Sequence, residues 1–112
     1  MNSQKEIVRF ICDYLRINGW NIFDPPSTAL SFKTYDTAVG QKEAQVYFCG
    51  DEYNWVLSGL YESQGRNILS TASELIPKDC AAANLIDYCS QFLTCVDSTI
   101  SQSYAVRLLR FD

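Results

Sequence analysis

Apolar and polar residues alternate with a period of two through the middle of the chain. Val46 and Phe48, then Tyr53, Trp55 and Leu57, are separated by polar or small residues, the pattern of half-buried strands. Gly50-Asp51 and Gln64-Gly65 interrupt the alternation and read as tight turns, so 45–73 is expected to form three consecutive antiparallel strands. Gly50 is taken as a residue whose conformational freedom a hairpin needs. One face of the strand 53–62 would carry Tyr53, Trp55, Leu57, Gly59 and Tyr61, and the other Asn54, Val56, Ser58, Leu60 and Glu62. Gly59 suggests a bulge or bend there.

The period changes outside this block. Ile7, Phe10, Ile11, Tyr14 and Leu15 recur at helical spacing after a Ser3/Glu6 capping box, and Asn18-Gly19 marks the stop. Arg9 and Arg16 are both placed to pair with Asp13. Trp20, Ile22 and Phe23 suggest a short strand or hydrophobic clasp before the break at Asp24-Pro25-Pro26. A strand over 28–36 would put Leu30 and Phe32 on one face and Ser31, Lys33 and Tyr35 on the other. Residues 37–42 read as a flexible connection. After Pro77, with Asp79 as N-cap, a second helix is expected from the stripe Ala82, Leu85, Ile86, Cys89, Phe92, Leu93, Val96. The Ser/Thr-rich run 97–103 is expected to weaken it. Residues 104–111 fit either a strand or a continued helix, with the strand favoured.

These elements make a single α+β domain over 1–112. An N-terminal helix and a second helix pack on one face of a curled, mainly antiparallel sheet of about five strands. At 112 residues there is room for one modest core. The net charge of −4 is uneven. Residues 34–65 hold Asp36, Glu43, Asp51, Glu52 and Glu62 against Lys42 alone, and an acidic sheet without a basic cluster argues against nucleic acid as partner. No charged leader or membrane-length apolar run is seen, so a cytoplasmic protein with no membrane partner is expected.

Candidate chemistry is sparse. The absence of histidine removes the commonest general base, the usual nucleophile activator and a frequent metal ligand. The five cysteines have irregular spacing and read as small buried side chains. Cys80, near the start of the second helix, is the one thiol whose position suggests activation, though a structural role suits it better. Asp51-Glu52 fits a turn better than a carboxylate pair for catalysis. No catalytic, cofactor-binding or metal-binding residue is therefore assigned, and a non-enzymatic protein is expected. Seven tyrosines, six phenylalanines and two tryptophans are the feature left to explain. Core volume accounts for some of them, while Tyr35, Tyr47, Tyr53, Trp55 and Tyr61 are candidates for an interface or a cavity lining.

Tyr14-Leu15, Gly19-Trp20, the run from Val46 to Trp55 and Ile76-Pro77 occur in an order that resembles a bacterial family, the sensory-transduction-regulator domains whose fold is similar to type III secretion chaperones. The resemblance spans roughly 7–93, with 28–41 as a candidate extra strand. It implies a small acidic α+β protein, often dimeric, that binds other proteins and carries no catalytic residues. The leading expectation is a chaperone-like or regulatory protein-binding module, with a homodimer as a candidate assembly. The alternatives are an acidic inhibitor or immunity-type protein blocking a basic partner, and a protein enclosing a small apolar ligand.

Overall fold

The structure, a computed structural model, describes residues 4–37, 40–63, 66–67 and 73–101. In chain order the elements are α1 (Gln4–Ile17), β1 (Asn21–Ile22), β2 (Ala29–Thr37), β3 (Gly40–Gly50), β4 (Asn54–Ser63), β5 (Arg66–Asn67), β6 (Ser73–Pro77) and α2 (Ala82–Ser101). The strands form an open antiparallel sheet in which β1, β2, β3 and β4 lie side by side and both β5 and β6 pair with β4. The fold is the expected α+β arrangement.

Both helices lie on one face of the sheet, α1 against β1 and β2 and α2 against β4 and β6. Helical spacing brings Ile7, Ile11 and Leu15 of α1 and Leu85, Phe92, Val96 and Ile100 of α2 onto Val46, Phe48, Leu57 and Ile76 of the sheet, all of them buried. Burying a side chain of this size contributes ~1.5–3 kcal/mol, so the paired stripes are what hold the helices to the sheet.

The end of α1 forms as Asn18-Gly19 predicts. Gly19 has φ +91°, its N–H donates to the Arg16 carbonyl at 3.1 Å, and the Trp20 N–H donates to the Leu15 carbonyl at 3.0 Å. This pair of bonds is a Schellman motif, and it turns Trp20 into the core beside Leu15. Asp13 pairs with Arg16 at 2.9 Å on the exposed side. Ser3 of the expected capping box lies outside the described residues.

Several sequence expectations are corrected. A bulge between Ala29 and Ser31 shifts the register of β2 on β3, so the adjacent Leu30 and Ser31 are both buried. Beyond it Ser31, Lys33 and Tyr35 face the helices, while Phe32 lies on the opposite face and packs against Phe23 at 4.8 Å. The bulge is therefore in β2 and not at Gly59, where the β3–β4 ladder runs without a shift. Residues 40–42 belong to β3 rather than to a loose connection. Asp79 is not the cap of α2. The Cys80 N–H bonds back to the Pro77 carbonyl at 3.0 Å, which places Asp79 inside a turn, and the helix starts at Ala82. It then runs through the Ser/Thr cluster to Ser101, carried by the burial of Val96 and Ile100, while the Thr94 and Thr99 hydroxyls donate to the carbonyls of Ser90 and Cys95 at 2.8 Å. The turn at 64–65 and the alternatives for 104–111 lie outside the described residues.

Candidate functional site

The five aromatic residues singled out in the sequence do not form one site. Tyr61 is 0 % exposed and Trp55 8 %, so both are core. Tyr35 is half-buried on the same helix-facing side, edge-on to Tyr61 with ring centroids 6.0 Å apart. Burial, with Asp97 and Tyr61 nearby, pushes its phenol well above the ordinary tyrosine range. Tyr47 lies on the opposite face of the sheet, and Tyr53 is 72 % exposed at the turn before β4.

Among the described residues, the crevice between helices and sheet lined by Ile11, Leu15, Val46, Leu57, Phe92 and Leu93 is too tight to admit a water molecule, so that crevice offers no room for an apolar ligand. Trp55 stacks on Phe48 at 5.4 Å, carries the Lys78 ammonium 4.4 Å from its ring and lies against Gly50. That contact explains Gly50, whose φ is outside the left-handed region. A side chain there would strike the indole, and conformational freedom is not what the position requires.

The cysteines divide by burial, contrary to a uniformly buried set. Cys12 and Cys89 are buried, Cys80 is half-buried, and Cys49 and Cys95 are exposed, all without a disulfide. Burial, and then Cys80 nearby, lifts the Cys89 thiol to about 12, and burial also raises Cys12, so both remain protonated at neutral pH. Among the described residues no group of three or more acidic or thiol side chains is placed to hold a metal ion.

The sheet face turned away from the helices is different. Its cross-strand rows read Phe32–Gln45–Leu60, then Tyr47–Ser58–Ser73, then Cys49–Val56–Leu75. Leu75 is 55 % exposed, and Phe32, Tyr47, Val56 and Leu60 are half-buried. Neither helix covers them. Along β3 the Tyr47 hydroxyl donates to Gln45 Oε1 at 2.6 Å, and Gln45 Nε2 donates to Glu43 Oε2 at 2.6 Å. This relay fixes a polar spine between two apolar flanks and ends in a carboxylate. More acid lies at the β3–β4 turn, where Asp51 and Glu52 are exposed. Asp51 Oδ1 accepts the N–H groups of Asn54 at 2.6 Å and Tyr53 at 2.8 Å, which hold its carboxyl below the usual range.

Four strands ~4.8 Å apart and a β4 of ten residues make this platform on the order of 15 by 30 Å. Of the predicted candidates only Tyr47 lies on it. Val56, Leu60 and Leu75 were missed, although a signal existed: the second face of β4 carries Val56 and Leu60 where a solvent face would be wholly polar. No helix among the described residues is long and apolar enough to cross a membrane. Comparison with protein-family models, with curated proteins and with solved structures gives no match.

Proposed function

We propose that this chain is a non-enzymatic, cytoplasmic protein-binding module of the chaperone-like or regulatory kind. It docks an apolar, basic segment of a partner protein on the sheet face opposite the helices. The observation that carries this reading is the set of apolar side chains, Phe32, Leu60, Val56 and Leu75, that neither helix covers. A platform of about 15 by 30 Å, roughly 450 Å² in projection, is about half of the ~800 Å² per partner of a standard interface and so suits a short segment. The basic character follows from charge: Glu43 lies on the face, Asp51 and Glu52 lie at its end, and the five acids of 34–65 meet only Lys42. A second copy would bring like charge against like, so a homodimer through this face is the less favoured occupant. The acidic-inhibitor alternative shares the same surface and the same partner chemistry.

The test is capture from a lysate of the source cell with three baits: the wild type, Val56→Asp/Leu75→Asp, and the charge-matched Ser90→Asp/Gln91→Glu on the exposed side of α2. A discrete set of basic proteins is expected on the wild type and on the α2 variant, and not on the sheet variant. Equal retention by all three baits would overturn the assignment.

A further inference from the structure

Two strands of the sheet, β2 and the edge strand β6, each turn a charged residue toward the helices, where the pattern calls for an apolar one. On β2 it is Lys33, paired across the ladder with the fully buried Ala44, and on β6 it is Glu74, paired with Leu57. Lys33 has a local explanation. Its ammonium lies 5.9 Å from the Trp20 ring and 5.5 Å from the Tyr35 ring. It also lies 4.0 Å from where a Gly19 Cβ would be, beside the last carbonyls of α1, where the helix dipole favours a cation.

Glu74 has no such explanation. It is half-buried beside Leu57, and burial alone raises its carboxyl above the usual range. Among the described residues it has no ion-pair partner. What distinguishes its place is the edge. The five residues of β6 pair with β4 on one side, and no described strand pairs with the other.

The Lys78 N–H donates to the Tyr53 carbonyl at 3.0 Å in continuation of the same register. Antiparallel alternation then directs the backbone groups of Ile76 and Glu74 to β4 and leaves those of Ser73, Leu75 and Pro77 on the open edge. Pro77 has no N–H to offer there. A strand added to this edge would lose one donor bond at Pro77 and would take the remaining water from the Glu74 carboxylate. Inward-pointing charges and edge prolines are the devices that keep a sheet from pairing with another chain.

We propose that Glu74, together with Pro77, guards the β6 edge against strand pairing with a second copy of this chain, so that the sheet face and not the sheet edge is open to partners. The guard is independent of whatever binds the face.

Light scattering over a concentration series tests it, comparing the wild type with Glu74→Val, Glu74→Val/Ser73→Pro and Glu74→Val/Val56→Asp. The Glu74→Val chain is expected to self-associate at least about tenfold more tightly than the wild type, with the Leu75 amide becoming protected from hydrogen exchange on association. Ser73→Pro, which removes another edge donor, is expected to reverse the gain, while Val56→Asp on the face leaves it in place. If Glu74→Val does not unfold cooperatively in urea, Glu74→Gln, which removes the charge and keeps the shape, is expected to move association in the same direction. A folded Glu74 variant that associates no more than the wild type overturns the proposal. So does association abolished by Val56→Asp and untouched by Ser73→Pro, which would place the contact on the face.

Discussion

Replacing Gly50 by alanine puts a Cβ 2.6 Å from Trp55 Cε3 and 2.7 Å from Cζ3. Ordinary contact begins near 3.4 Å, so the indole must move by about 0.8 Å. It cannot do so freely, because Phe48 stacks on it at 5.4 Å and the Lys78 ammonium lies 4.4 Å from its ring. Overpacking of this kind costs ~1–3 kcal/mol. Against it stands a gain of ~0.4–1 kcal/mol, because alanine restricts the unfolded chain and the φ of Gly50 permits it. The clash wins, and Gly50→Ala is expected to destabilise by about 1–2 kcal/mol, read as a lower urea midpoint at unchanged slope. In a Trp55→Leu background the obstacle is gone, and the same substitution becomes neutral or slightly stabilising, a coupling of about 2 kcal/mol. A Gly50→Ala chain as stable as the wild type, or an equal cost in both backgrounds, would refute the reasoning.

Other consequences follow from the same geometry. Gly19→Ala meets only the Lys33 ammonium, at an ordinary contact of 4.0 Å, but must hold φ +91°, so a loss of ~1–2 kcal/mol is expected in urea unfolding, with Gly19→Asn losing less. Among the described residues the buried Tyr61 hydroxyl has no hydrogen-bond partner, so Tyr61→Phe is expected to be neutral or to stabilise by up to about 1 kcal/mol; a clear loss would mean that the hydroxyl is satisfied in solution. Asp51 has its folded pKa lowered by the amides of Asn54 and Tyr53, so its contribution is full above the usual carboxylate range and is lost as pH falls through the lower folded value. The stability advantage of the wild type over Asp51→Asn is accordingly expected at pH 7 and should fade in strong acid, as followed by urea midpoints across pH.

Much of the architecture could be read from local pattern. The stripe Ile7, Ile11, Leu15 and the stop at Asn18-Gly19 specify α1 because its burial and its C-terminal motif are both encoded within a few residues. The alternation through Val46, Phe48, Trp55 and Leu57 likewise specifies β3 and β4, whose ladder is regular. What local pattern does not carry is parity after an irregularity. The bulge at Ala29/Ser31 exchanges the faces of β2, so Phe32 reads as core and turns out to lie on the open face. The Ser/Thr cluster from Asp97 reads as helix-weakening, yet α2 runs on to Ser101 because Val96 and Ile100 continue its buried stripe. The candidate surface was the least legible part. Attention to aromatic residues picks Trp55 and Tyr61, which fill the core, whereas the open face is built mainly from Val56, Leu60, Leu75 and Phe32, aliphatic but for one.

The central claim is that the face opposite the helices is a docking surface for an apolar, basic segment. Its most direct test is fluorescence anisotropy of a short labelled peptide alternating Leu and Lys, titrated with the wild type and with Val56→Asp/Leu75→Asp. The two added carboxylates make the protein more acidic, so attraction by charge alone would tighten binding. Docking on Val56 and Leu75 predicts the opposite, a loss of about tenfold or more, close to 1.4 kcal/mol. Unchanged or tighter binding by the variant would contradict the account.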